Sequence, residues 1–533
     1  MELVLRSNGK RHPVRLEQDK HKIYFRSSPF SLKNEIKSMK GSRWNPEERI
    51  WTVSNCPRNI FQLRAMIVEP TNENPYEWFE RKLVDINPGD RPLKPWQIEM
   101  IAKVLTYRFQ VLAADMGLGK SLTAIEIMER SGLPNNKMIF VGPQSALQSV
   151  EADLVKWDSP IQPRFMTYER FTIDHKTFEL PQLVIFDECT GLKNPNSNRA
   201  KAAQDVSDRI RAMYGTDGYV VLMSGSPTAK RPSDIWSQAE IAWPGFLREG
   251  SLRAFEARYA LVEDQEDAEG NRYRVIAGWK DEEVEKLPLR LKGLMTVYRK
   301  ADLLNLPERI FEVRKHKPTP KINRIAKQLV EMAPNTITAL TWLRALSSGF
   351  QYKDGVVPGK DGERDMVETA CPKDATLREI LAEEHTRGRM ICFASLQGSI
   401  DRVRRICMEE GWDVISIDGR GWNCWTKDGV LKGHDVLKFW ADNPRHTVVV
   451  GNPASCRFGL TLVEAKTTVY YDQNFSAEHR LQSMDRNYRI GQDEEVRVID
   501  LLHLDVDELI LETLKQNRKL ELLSIGNLLE YIQ

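Results

Sequence analysis

Two short runs of residues have the types and spacing that phosphate chemistry requires. Asp115-Met116-Gly117-Leu118-Gly119-Lys120-Ser121 follows the apolar QVLAA and precedes LTAIEIMER. Glycines let successive backbone N–H groups converge on an anion, and a helix starting at the lysine adds the positive end of its dipole. In such a loop Lys120 reaches the β- and γ-phosphates and the Ser121 hydroxyl ligates Mg²⁺. ATP and Mg²⁺ are therefore the expected ligands. Ala114 stands where the usual Gly-x-x-x-x-Gly-Lys-Ser/Thr pattern has its first glycine. The second run, LVIF followed by Asp187-Glu188, sets two carboxylates at the end of an apolar segment. Asp187 can hold the metal through water and Glu188 can orient an attacking water. Alone, an Asp-Glu pair after a strand serves equally as a helix cap. Beside the loop at 114–121 it points to hydrolysis.

A third group lies far downstream. Arg486 and Arg489 in QSMDRNYRIGQ are three residues apart and share a face if the segment is helical. Guanidinium groups supplied across a domain cleft stabilise the charge of a transferring phosphoryl group. A surface helix laced with salt bridges accounts for the same residues equally well.

These residues need rigid elements to position them. From Arg108 to about Leu504 the chain repeats a unit of short apolar run, turn and amphipathic segment: QVLAAD, KMIFVGP, LVIFDE and YVVLMSGSP, then MICFAS, DVISID, TVVVGNP, TTVYYD and VRVIDLL. Short Val- and Ile-rich runs read as strands buried on both faces, hence parallel sheets covered by helices. A stretch of roughly 246–372 reads as lacking such runs, and there KINRIAKQLVEMA and ITALTWLRALSSG have helical spacing. The expected architecture is α/β, with parallel-sheet domains at 86–245 and 373–533 and a largely helical insertion at 246–372. Residues 1–85 read as a small α+β module, with strands at IYFRSSP and RIWTVS around the amphipathic SLKNEIKSMKG. VDELILETLKQNRKLELLSIGNLLEYI reads as one long amphipathic helix.

Composition narrows the class. At 533 residues, 41% hydrophobic and 29% charged, the chain can bury real cores. No apolar run approaches the roughly 18 residues a membrane span needs, and charge enters the N-terminus too early for a secretory signal. Seven scattered cysteines without a Cys-x-x-Cys pair argue against a zinc site or disulfide framework and fit a reducing cytoplasm. Residues 1–50 hold 12 Lys and Arg against 6 Asp and Glu, so an excess of +6 sits in a chain whose net charge is only +2. That end either faces phosphates or is a solvated basic surface.

The order of motifs resembles the Swi/Snf-type branch of superfamily two helicase-like ATPases, over roughly residues 90–525. LKPWQIEMI, with Gln97, resembles the family's adenine-reading segment. DMGLGKS resembles D-E-M-G-L-G-K-T, and DECTGLKN resembles D-E-A-H-R-L-K-N with Cys189 and Thr190 in place of Ala and His. MSGSPTAKRPSDIW, TVYRKADLLNLPER, MICFAS and SIDGR resemble further segments. RLQSMDRNYRIGQ resembles Q-A-M-D-R-A-H-R-I-G-Q, with Tyr488 for His. The resemblance implies two tandem RecA-like domains and an ATP site of Gln97, Asp115, Met116, Gly117, Leu118, Gly119, Lys120, Ser121 and Gln482. It implies that Asp187, Glu188, Arg486 and Arg489 act in hydrolysis. Candidate DNA contacts are Thr167 and Tyr168, Lys193 and Asn194, and Arg457 and Thr461; the last two replace a Gly and an Asn of the family pattern. Thr190 replaces a histidine that links the carboxylates to the next motif. YFRSSPFSLKNEIKSMKGSRWNPEERIWTVS, with Phe30, Trp44 and Trp51, resembles the HepA-related (HARP) domain of annealing helicases. An unrelated module with both tryptophans in its core is the other reading.

The function that follows is a DNA-dependent ATPase moving on double-stranded or forked DNA, in the cytoplasm of a bacterial or phage-infected cell. Replication or repair proteins are the expected partners, and a monomer the expected state. Three readings compete: a strand-separating DNA or RNA helicase, a non-catalytic DNA-binding scaffold, and the motor subunit of a restriction or defence complex.

Overall fold

The computed structural model describes residues 2–7, 10–28, 32–66, 79, 81–225, 231–249, 251–266, 272–352, 366–432, 436, 439–440, 445–456 and 462–515. The chain divides into two compact units, Met1–Leu303 and Leu304–Gln533.

The first unit opens with five strands, β1 (Glu2–Ser7), β2 (Lys10–Gln18), β3 (Lys22–Ser27), β4 (Arg43–Asn45) and β5 (Ile50–Ser54), paired antiparallel in the order β1-β2-β3-β5-β4. Helix α1 (Lys33–Ser38) precedes β4 and α2 (Pro57–Met66) follows β5. Alternation along the strands sends Val14, Leu16, Ile23, Phe25 and Val53 to one face, where they share a core with Ile36 and Leu63 from the helices. Trp51 packs at the border of that core, whereas Trp44 is 47% exposed, with its ring centroid 5.4 Å from that of Trp51. The reading that buries both tryptophans therefore fails for Trp44.

A six-stranded sheet follows. Its strands are β6 (Phe109–Ala114), β7 (Met138–Gly142), β8 (Arg164–Thr167), β9 (Leu183–Asp187) and β10 (Tyr219–Ser224). After a hairpin of β11 (Ala260–Glu266) and β12 (Arg272–Trp279), β13 (Met295–Tyr298) completes it. The order is β13-β6-β10-β9-β7-β8 and every pairing is parallel. The helices alternating with these strands are α3 (Pro95–Tyr107), α4 (Lys120–Arg130), α5 (Gln144–Lys156), α6 (Tyr168–Asp174), α7 (Asn198–Tyr214) and α8 (Asp234–Ala242), with α9 (Leu252–Tyr259) and α10 (Asp281–Arg290) further on. Strands β6, β7 and β10 are buried along their whole length, as expected of strands covered on both faces. Because β6, β10 and β9 are parallel neighbours, their carboxyl ends open side by side, where α/β sheets bind ligands.

The second unit carries an eight-stranded sheet in the order β14-β23-β22-β17-β21-β18-β19-β20. In chain order these are β14 (Arg309–Lys315), β17 (Arg389–Phe393), β18 (Asp413–Asp418), β19 (Gly421–Thr426), β20 (Gly429–Lys432), β21 (Thr447–Gly451), β22 (Thr467–Tyr470) and β23 (Val496–Leu502). The numbers β15 (Phe350–Tyr352) and β16 (Met366–Glu368) belong to a separate hairpin. Only β19 runs against the other strands, so its pairings with β18 and β20 are antiparallel and the rest are parallel. Helices α11 (Pro320–Met332), α12 (Thr336–Ser347), α13 (Pro372–Glu383), α14 (Gln397–Glu409), α15 (Ala477–Met484) and α16 (Asp505–Lys515) complete the unit.

One expectation changes. The stretch 246–372 is not a helical insertion standing apart from the sheets. Met295–Tyr298 pairs with β6 and Arg309–Lys315 pairs with β23, so two strands from within the stretch each add an edge to a neighbouring sheet, and the units divide between Leu303 and Leu304. Of the expected C-terminal helix, Asp505–Lys515 is helical as α16; residues 516–533 lie outside the described residues. Among the described residues no helix is long and apolar enough to cross a membrane.

Candidate active site

The loop between β6 and α4 is held from three sides. Gly117 and Gly119 have φ of +86° and +82°, the left-handed region that a side chain disfavours. A Cβ on Gly119 would also stand 2.5 Å from the amide nitrogen of Gln97. Gln97 is buried. Its Nε2 donates to the Gly119 carbonyl at 3.2 Å, and its Oε1 accepts the Lys94 N–H at 2.9 Å, closing a capping box at the start of α3. The expected adenine reader is thus also the brace of the loop. Trp96 Nε1 donates to the Leu118 carbonyl at 3.1 Å. From β13, the Tyr298 carbonyl accepts the Asp115 N–H at 3.0 Å, and the Asp115 carboxylate accepts the Lys300 N–H at 2.7 Å. The Arg299-Lys300 segment, within TVYRKADLLNLPER, is therefore a wall of the loop. Met116 and Ser121 are half-buried, and Lys120 Nζ donates to the Ala114 carbonyl at 2.8 Å.

Asp187 ends β9, two strands from the loop. Its Oδ1 is buried without a hydrogen-bond partner. Burial raises the carboxyl above its ordinary range, and the Lys120 charge pulls the other way, which places the ammonium within electrostatic reach. A buried carboxylate oxygen left unpaired beside a phosphate-type loop fits a divalent cation. Among the described residues no three His, Cys, Asp or Glu side chains converge on one point. Asp187 and Ser121 would therefore hold Mg²⁺ jointly with substrate and water oxygens, the mode usual for this ion. Glu188 has φ +51° and ψ +50°, an unfavourable conformation for a residue with a side chain, at the turn into the 3₁₀ segment Cys189–Leu192.

Gly225, not singled out from the sequence, closes the third side. A Cβ there would lie 3.3 Å from Met116 and 3.8 Å from Lys120 Nζ. Its position after the buried β10, in Met-Ser-Gly-Ser-Pro, was the available signal. Gln238 was also missed. It accepts the Cys189 thiol at 2.9 Å, while Ser237 Oγ donates to the Leu192 carbonyl at 2.7 Å. One link from the carboxylate turn thus runs through Cys189 to α8, beside Thr190, the position where the family pattern has its histidine.

The expected DNA contacts divide. Tyr168 is buried and donates its hydroxyl to the Asp187 carbonyl at 2.8 Å, so it braces β9 and is no surface group. Thr167 caps α6 by accepting the Arg170 N–H at 3.2 Å. Lys193 is partly exposed and 3.8 Å from Asp234; Asn194 is exposed and accepts the Asn196 N–H at 3.0 Å. Arg457, Thr461, Phe30 and the Ser226-Pro227 pair lie outside the described residues.

In the second unit the arginine pair does not share a helical face. Helix α15 ends at Met484, and residues 485–491 form turns. The Leu462 N–H donates to the Arg486 carbonyl at 3.0 Å and Asn487 Nδ2 to the Ala465 carbonyl at 3.0 Å, bonds that pull the segment off the helix axis onto the 462–466 loop. Arg486 is 1% exposed, with Nε donating to the Gln482 carbonyl at 3.1 Å; Gln482 is buried and Arg489 half-buried. Arg309 stacks over the Tyr488 ring at 3.9 Å and pairs with Asp485 at 3.1 Å.

No protein-family model matches the chain. An uncharacterized ATP-dependent helicase of Mycoplasma pneumoniae is 21% identical over 422 residues, 74% of this chain and 38% of that protein. A SWI/SNF-related matrix-associated actin-dependent regulator of chromatin subfamily A-like protein 1 homolog of Caenorhabditis elegans is 24% identical over 523 residues, 90% of this chain and 71% of that protein. The ISWI chromatin-remodeling complex ATPase of Saccharomyces cerevisiae is 20% identical over 481 residues, 81% of this chain and 40% of that protein. The chain thus spans about two fifths of the length of two of these relatives. The Sulfolobus solfataricus SWI2/SNF2 ATPase core in complex with double-stranded DNA aligns with 84% of this chain and 96% of its own, at 20% identity and a TM-score of 0.36. The chain is similar in sequence to SNF2-type helicase-like ATPases along most of its length.

Proposed function

We propose that this protein is an ATPase driven by DNA, which translocates on duplex or forked DNA without separating a plain duplex. The observation that carries the reading is the unpaired, buried Asp187 carboxylate oxygen within electrostatic reach of Lys120, on a loop whose two glycines adopt left-handed backbone. Sequence similarity to SNF2-type ATPases supports the choice of DNA as the track.

In this reading Lys120 binds the β- and γ-phosphates, and the backbone amides of 117–120 line the phosphate path. Asp187 with Ser121 would hold Mg²⁺, whose charge would offset that of the phosphates. Glu188, set on its turn, orients the attacking water, while Arg486 and Arg489 stabilise the transferring phosphoryl group. Lys193 and Asn194 contact the DNA backbone, so binding is salt-sensitive and nearly independent of sequence. The N-terminal module, with its exposed Trp44, recognises a fork or junction. Replication or repair proteins supply the context, and the chain acts as a monomer.

The test is ATP hydrolysis without nucleic acid and with single-stranded, duplex or forked DNA or RNA, with Lys120→Ala as the control. Strong stimulation by duplex or fork that the variant loses is the expected result. Stimulation by RNA alone, robust unwinding of a plain duplex, or no hydrolysis under any condition overturns the reading.

A further inference from the structure

Helix α8 touches the carboxylate turn and the N-terminal module at once. Ser237 and Gln238 hold both ends of Cys189–Leu192, the segment directly after Asp187 and Glu188. Two residues on, Glu240 accepts the Gly245 N–H at 2.9 Å and forms an ion pair with Arg58 of α2. The Glu240 side chain is 3% exposed and that of Arg58 13%. Gln62, four residues after Arg58 and so on the same face of α2, lies against Gly245.

Both ends of this chain of contacts are stiff. In the module, buried Asn59 bonds the Lys40 N–H and carbonyl and the Ser54 carbonyl at 2.7–2.9 Å, tying α2 to the sheet. In the body of the unit, fully buried Arg211 of α7 donates to the last carbonyls of α8, Ile241 and Ala242, at 2.8 and 3.1 Å, and pairs with Asp208 at 2.7 Å. Burial lowers the pKa of both Arg58 and Arg211, while the Asp208 charge opposes it. A buried ion pair of this kind adds little net stability over apolar packing. What it does add is a fixed register between two helices, because neither charge can move without losing its partner.

We infer that α8 is a relay: Arg58 and Glu240 fasten it to the N-terminal module, and Ser237 and Gln238 pass the position of that module to the Asp187–Glu188 turn. Arg58, Glu240 and Gln238 are positioning residues. Glu188 sits in a strained conformation that its surroundings impose, so a small shift of α8 changes where its carboxylate points. Nucleic acid held by the module thereby sets the readiness of the carboxylates for hydrolysis. The inference rests on the reading of Asp187 and Glu188 as hydrolytic, but the mechanical coupling has its own readout.

The experiment uses the full chain with three variants. Arg58→Met with Glu240→Gln removes both buried charges and keeps an acceptor for Gly245. Gln238→Met removes the thiol contact together with the bond from Gln238 Nε2 to the Asp234 carbonyl within α8, and the third variant combines all three changes. The readouts are amide hydrogen exchange of the nucleotide-free protein and, with forked DNA, kcat and KM for ATP. In the charge-pair variant, exchange across 188–192 is expected to rise at least fivefold, with β7 unchanged. Stimulated kcat falls at least fivefold and KM stays within twofold. Adding Gln238→Met to the pair costs nothing further, because both changes cut one relay. If the charge-pair variant does not fold, Gln238→Met decides the matter: coupling is reciprocal, so exchange in α2 must quicken as well. Exchange at 188–192 within twofold of the parent, additive losses of kcat, or an undisturbed α2 in Gln238→Met overturns the inference. A parent protein that hydrolyses no ATP would remove the functional reading, and the exchange data would still decide the coupling.

Discussion

Two strand carboxylates, one from each unit, are treated in opposite ways. At the end of β9 in the first unit, Asp187 has a buried oxygen with no partner and a carboxyl raised by desolvation. In β23 of the second, Asp500 is buried and fully engaged. Arg480 donates to its two oxygens at 2.7 and 2.8 Å, Gln473 adds a bond at 2.9 Å, and the same guanidinium stacks on Tyr470 at 3.3 Å. Bidentate, satisfied pairing is what a structural charge needs in a low dielectric. A charge left unsatisfied costs stability and persists where a ligand is to complete it. The contrast separates a carboxylate that holds the fold from one that the fold holds ready.

The largest effect that tests this contrast is on activity. Asp187→Asn should reduce DNA-stimulated hydrolysis about 10³-fold, yet leave the denaturation midpoint equal to or above that of the parent. A clear loss of stability would show that Asp187 is structural after all. Asp500→Asn should do the reverse. Removing one member of a buried ion pair costs about 3 kcal/mol, seen as a lower urea midpoint, with ATP KM in the remaining folded protein unchanged. Equal destabilisation by the two changes would erase the distinction.

A pH series sharpens it. Asp187 has a folded pKa above its ordinary value of 3.8. Its favourable contribution is therefore complete below the unfolded pKa and is lost as pH rises through the folded one. Without Mg²⁺ and nucleotide, the stability advantage of Asp187→Asn should grow as pH is raised from below 4 through that raised value, then level off. A difference that shrinks over this window would mean that a cationic partner already satisfies the carboxylate.

How much of this was legible in the sequence depended on whether a residue's type also fixed its direction. The loop at 114–121 and the carboxylates after LVIF were readable because fully apolar runs ending in Gly-Lys-Ser or Asp-Glu admit few geometries. Their strands, β6 and β9, fall where the pattern put them. Tyr168 was misplaced because a tyrosine beside a capping threonine can point to solvent or to the sheet, and only the Asp187 carbonyl decides. Arg486 and Arg489 have helical spacing, but Asn487 and Gln492 find backbone partners in the 462–466 loop that outcompete another helical turn. The edge strands β13 and β14 were hidden for another reason. Their outer flanks are partly solvated, as Val297 at 55% and Phe311 at 62% exposure show, so they lack the continuous burial that reveals an inner strand. Gln238 had no local signal, since its partner Cys189 is 49 residues away.

The smallest predicted effect concerns the residue beside the reserved carboxylate. Glu188 occupies the left-handed region at φ +51°, which costs a residue with a Cβ roughly 1 kcal/mol relative to glycine. If the turn is shaped for function at the expense of stability, Glu188→Gly should stabilise the folded chain by about 1 kcal/mol while removing hydrolysis. Glycine in an ordinary helical or extended position loses stability, so the sign of the change is diagnostic. A destabilised Glu188→Gly would mean that the carboxylate's own contacts outweigh the backbone strain. Glu188 would then belong with Asp500 among the charges that hold the fold, and the water-orienting role would have to be sought elsewhere on the turn.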